Sequence, residues 1–142
     1  MSYFKTKQAL LTKLLSVPIT GITADDISFE NKTFDPKGKS IWLACYFIPA
    51  TSESLGKTID SSDGQRGIFQ VSVFVALDDG QYDNLQLQAV DAILTEFRYN
   101  SVLPFDDIEV YISTSTVNNG IENESFFKRD ISINYLTFSN RG

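Results

Sequence analysis

Between Arg66 and Leu77 the chain alternates with a period of two: Phe69, Val71, Val73, Val75 and Leu77 share one face, while Gln70 and Ser72 mark the other. This pattern commits the segment to a strand with at least one covered face. A second run, from Ile41 through Trp42, Leu43, Ala44, Cys45, Tyr46 and Phe47 to Ile48, is apolar throughout and stops at Pro49. Its length and composition are those of a central strand covered on both faces.

Two segments have helical rather than strand periodicity. From Ser2 to Ser16 the apolar positions Phe4, Leu10, Leu11, Leu14 and Leu15 fit an amphipathic helix, ended by Pro18 and Gly21. A second helix starts near Asp83, a capping residue with Gln86 three positions on to reach back. It carries one stripe of Leu85, Ala89, Val90, Ile93, Leu94 and Phe97, and Asn100 supplies a left-handed stop. Asp26–Glu30 reads as a short strand, 31–39 as a turn, and Asp78-Asp79-Gly80 as another turn. After Pro104, Ile108, Val110 and Ile112 alternate through a strand that should pair as a hairpin with a last strand, Phe126–Phe138, across Asn118-Asn119-Gly120. The expected fold is α+β: one domain over 1–142, with a mixed or antiparallel sheet of about four to five strands and two main helices packed on it.

At 142 residues the chain can bury roughly two thirds of its unfolded surface in a single core. Its balance of 42% apolar, 13% aromatic and 21% charged residues is that of a folding chain, not a disordered one. A net charge of -6 disfavours electrostatic attachment to nucleic acid or to an anionic membrane. No apolar run approaches the roughly 20 residues that span a bilayer, and the amino terminus has no long apolar stretch, so the protein is expected to stay in the cytosol unless it is built into a larger particle.

The chemistry is sparse. There is no histidine, which removes the commonest general base near neutral pH and most zinc sites. Cys45, the only cysteine, sits among apolar neighbours and reads as a core thiol. The acid pairs Asp25-Asp26, Asp78-Asp79 and Asp106-Asp107 lie at element boundaries, where Asp caps and turns the chain. Asp60, Asp63 and Gly64 lack the alternating oxygen ligands of a calcium loop, and Gly67 reads as a close backbone approach or bulge, not a phosphate cradle. No catalytic, metal or cofactor site is expected. Trp42, Tyr46, Phe47, Phe69 and Phe74 read as core; Phe74, on the opposite face from Phe69, would mark an interface if exposed, or else a helix packed on the second sheet face.

The leading helix, the aromatic strand ending at Pro49, the run from Arg66 to Val75 and the helix from Ala89 to Phe97, with Trp42, Gly67, Phe69, Asp91 and Phe97 at matching positions, resemble the tail-terminator (minor tail protein U-like) family of long-tailed bacteriophages. The resemblance covers nearly the whole chain. It implies a structural protein without catalytic residues or cofactor, which forms a homo-oligomer, a hexameric ring on the tail tube. Such a ring ends tube growth, presents a surface to the head-tail connector proteins, lets DNA pass without specific binding and resides at the tail end of the virion.

A ring needs contacts that close on themselves, and an exposed sheet edge or a loop ordered on assembly supplies them. The polar stretch at about 50–66 reads as a long loop suited to this role, with Leu55 and Ile59 as anchors and Glu53, Lys57, Asp60, Asp63 and Arg66 setting register and partner choice. Two other readings stay open: a neck or head-completion connector of the same kind of phage, and a small α+β binding module or cofactor-free enzyme unrelated to tails.

Overall fold

The computed structural model describes residues 3–54, 62–77 and 82–140. Helix α1 (Tyr3–Ser16) is followed by a short turn of 3-10 helix at Ala24–Asp26, strands β1 (Ile27–Ser28), β2 (Ile41–Ser54) and β3 (Ser62–Ala76), and helix α2 (Asn84–Glu96). Strands β4 (Val102–Phe105), β5 (Ile108–Val117), β6 (Ile121–Asn123) and β7 (Phe126–Asn140) complete the chain. The architecture is α+β. The strands form one curled mixed sheet of seven in the order β1-β2-β3-β7-β5-β4, with β6 also on β7, so four to five strands was an undercount. Among the described residues only the β1–β2 pairing is parallel.

Both helices lie on one face. Leu10 and Leu14 of α1 and Ala89, Val90, Ile93 and Phe97 of α2 pack with Leu43, Cys45, Phe69, Val71, Val73, Ile131, Ile133 and Tyr135 in a continuous core. The alternation in β3 therefore places its apolar residues as expected. Helix α2 stops at Glu96 with Phe97 as its C-cap at φ -111°, so Asn100 is not the helix stop; its left-handed φ of 66° serves the turn before β4. Asp83 stands at the N-cap without a side-chain cap bond. Gln86 does not reach back to it; it is fully buried, donates to the carbonyls of Val73 (2.9 Å) and Phe127 (3.1 Å), and accepts from Arg129 Nε at 3.1 Å. Burial requires partners for every amide atom, and two strand carbonyls offered them.

Sequence expectations fail at three further places. The stretch 50–66 is not one long loop, because β2 continues through Thr51–Ser54 and β3 begins at Ser62, with Glu53 opposite Gly64 and Ser54 opposite Asp63. These polar residues are held extended because β7 runs beside them to Asn140, which pairs with Ser62. Strand β2 is not central: only the two-residue β1 lies outside it, and its second face is covered only near its start. Phe74 is neither exposed nor under a helix. It stacks on Trp42 at 3.9 Å with rings 2° apart, and Phe34 of the 31–39 segment and Phe126 close the cluster. The turn at Asp78-Asp79-Gly80 lies outside the described residues.

Candidate assembly surfaces

Beyond the Trp42–Phe74 cluster, the face opposite the helices has no covering element among the described residues. Its rows run across the sheet through Tyr46, Gln70 and Ser132, then Ile48, Ile68 and Asn134. Tyr46 is 37% and Ile48 43% exposed, large apolar groups on an unpartnered surface. Arg66 is exposed and borders a shallow cavity of about 420 Å³ lined also by Ile68, Thr114, Asn134 and Leu136. Charges here are few and mostly paired: Lys128 lies 3.6 Å from Asp130, which accepts a 2.6 Å bond from Ser72 Oγ.

The row Pro49–Gly67–Tyr135–Ile112 crosses four strands. A Cβ on Gly67 would lie 2.5 Å from the Ile48 carbonyl oxygen and 2.5 Å from Tyr135 Oη, so glycine here permits the expected close approach. A register shift between Pro49 and Thr51 adds the bulge. Tyr135 is fully buried, stacked on Phe47 at 5.7 Å, and among the described residues its Oη has no hydrogen-bond partner. Burial pushes its phenol up to about 12. Neighbouring Gln65 is likewise buried with neither amide atom bonded.

Of the residues expected to set the contact, Glu53, Asp63 and Arg66 fall on the β2–β3 hairpin, while Leu55, Lys57, Ile59 and Asp60 lie outside the described residues. The structure thus brings three of them onto one hairpin arm as strand residues. Sequence reasoning allowed for an exposed sheet edge without locating it, since the strand margins depend on strand order and on which backbone groups face outward. The acid pairs serve the fold. Asp26 Oδ2 accepts from Thr23 N at 2.8 Å and Oδ1 from Lys39 Nζ at 2.7 Å. Lys39 and the Thr23 amide hold the Asp26 carboxyl below its ordinary value. Lys5 bridges Asp106 and Asp107 at the β4–β5 turn; its ammonium lowers the Asp107 carboxyl, and the two carboxylates raise the Lys5 amine. Cys45 is buried, its thiol pushed up to about 12 chiefly by loss of water.

Among the described residues no cluster of His, Cys, Asp or Glu could hold a metal ion, and no helix is long and apolar enough to cross a membrane. The described residues thus form a helix-backed α+β sheet whose second face is largely uncovered. Comparison gives the particular lineage: residues 6–135 match the phage tail terminator protein family, and the chain belongs to it. A role in phage tail assembly and a place in the virion tail follow, and the family is a structural one. One solved structure, 21% identical with 96% of each chain covered, superposes with a TM-score of 0.73, which establishes a shared fold. No curated protein matches.

Proposed function

We propose that this protein caps the tail tube as a hexameric ring of identical subunits, ends tube growth and presents the surface on which the head-tail connector proteins dock. The supporting observation is the placement, among the described residues, of partly uncovered margins of β2 and β5 on opposite sides of a sheet whose two helices lie on one face. Contacts between two different surfaces of one subunit propagate head to tail and close when the rotation permits. The β2–β3 hairpin, with Glu53, Asp63 and Arg66 and the adjoining Leu55, Lys57, Ile59 and Asp60, is the arm that engages the tube or a neighbour. DNA passing the lumen meets an acidic protein, which offers little counterion-release attraction.

The test is to mix the purified protein with tail tubes and image the ends by negative stain. Rings on tube ends, and tails of uncontrolled length when the gene is deleted, are the expected results. Binding to portal complexes in preference to tube ends would replace this reading with that of a neck connector.

A further inference from the structure

The two margins of the sheet can be read atom by atom. In β2, the amide of Ala76 donates to the Ser40 carbonyl at 2.9 Å, which fixes even-numbered residues as those bonded inward to β3. Odd-numbered residues therefore turn their amide and carbonyl outward. Phe47 confirms this parity, because its outward N–H is taken at 2.6 Å by Glu30 Oε1 and by no strand. Pro49 follows two residues later, so its missing N–H falls on the outward side, where a proline costs the ladder nothing. This margin thus offers outward carbonyls from Phe47 and Pro49, with its one nearby donor held by a carboxylate.

The opposite margin supplies the donors that the first one lacks, beside carbonyls of its own. Asn118 N donates to the Asp130 carbonyl at 3.0 Å, so Asn118 and Thr116 face β7 while Ser115 and Val117 turn their amides outward. Strand β4 covers β5 only from Ile108 to Tyr111, and Ser101 takes the outward amide of Ile112. Among the described residues no strand lies outside Thr114–Val117.

The two margins also match in level and direction. Both strands shift register beside the row Pro49–Gly67–Tyr135–Ile112, β2 between Pro49 and Thr51 and β5 between Ile112 and Ser115. Strands β2, β3, β7 and β5 are successively antiparallel, so β5 runs opposite to β2. A neighbour in the same orientation presents its β5 antiparallel to β2. Exposed apolar groups flank both margins: Tyr46 and Ile48 on one, Val117 (38% exposed) and Ile121 (56% exposed) on the other.

We infer that the occupant of the β2 margin is a second copy of this chain, whose Ser115–Val117 segment adds an antiparallel strand beside Phe47–Pro49, and that Glu30 guards this margin until the neighbour displaces it. This inference rests on the ring reading and names its contact. A single side chain on Phe47 N and a proline at Pro49 blunt the edge against indiscriminate pairing and leave acceptors for one partner that brings donors.

The experiment uses the full chain with purified tail tubes, read by negative stain and by light scattering across a concentration series. Val117→Pro removes an outward donor without touching the inner ladder, and Ile48→Asp puts a charge on the other margin at an exposed position. Each is expected to keep the circular dichroism and melting of the parent while raising the concentration needed for rings by at least about tenfold. Glu30→Ala is expected to lower that concentration. Unchanged ring formation in both margin variants overturns the inference and leaves the ring itself standing. If Val117→Pro does not fold, Ile48→Asp decides alone. Failure of the parent to form rings even with tubes would overturn the ring reading and this contact with it.

Discussion

The two faces of the sheet are built from the same strands by simple alternation, yet they do different work. On the helix side Phe69, Val71, Val73, Ile131 and Ile133 are fully buried under α1 and α2. On the other side only Trp42, Ala44 and Phe74 form a buried cluster, under Phe34 and Phe126, and the rest of the surface has no cover among the described residues. Burial is concentrated on one face, and the other is largely uncovered among the described residues. Apolar side chains at Tyr46 and Ile48 are tolerable in a free subunit because they are few and interleaved with Gln70, Ser132 and Asn134.

Substitutions on each face sharpen this contrast. Phe69→Ala should lose about 3–5 kcal/mol by denaturant unfolding, whereas Tyr46→Ser should stay within about 0.5 kcal/mol; similar losses at both would break the division of labour. Gly67→Ala belongs to the helix side at the edge of the core, where the added methyl would meet the Ile48 carbonyl and Tyr135, and should cost about 1–3 kcal/mol in the same measurement. Tyr135→Phe removes a buried hydroxyl that makes no hydrogen bond among the described residues, so thermal melting should show no loss and at most a gain of about 1 kcal/mol.

The smallest effect concerns Asp26, on the rim near the smaller cluster. Its carboxyl titrates below the ordinary 3.8 because Lys39 and the Thr23 amide favour the charged form. A depressed folded value means stability that is present above the unfolded value and lost as pH falls through the folded one. Asp26→Asn should therefore melt slightly below the parent at neutral pH, and the two curves should converge below pH 3.8. A gap that persists in acid would assign the effect to packing.

Much of the helix face was legible in the sequence, because its signals are periodic and local. The stripe from Ala89 to Phe97, the alternation from Phe69 to Val75, the left-handed Asn100 and the close approach at Gly67 each need only neighbouring residues to be read. Strands β4 and β6 escaped because they are short, and because Pro104 looks like a breaker although it lies exposed on an outer strand, where proline is allowed. The polar 50–66 stretch has turn composition, but its extension is imposed by β7 from across the sheet. The family resemblance was legible on the same apolar pattern and is matched by residues 6–135. The margins were not, since which amide faces outward at Phe47 or Val117 follows from strand order and hydrogen-bond parity.

The stacked pair on the open face has a practical use. Trp42 is the only tryptophan in the chain, and it lies against Phe74 at 3.9 Å with Phe34 from the 31–39 segment 5.0 Å away. Its intrinsic fluorescence therefore reports on the smaller cluster and not on the helix-backed core. Emission that reddens before the far-ultraviolet dichroism collapses would time the release of that segment independently of global unfolding, with no label added.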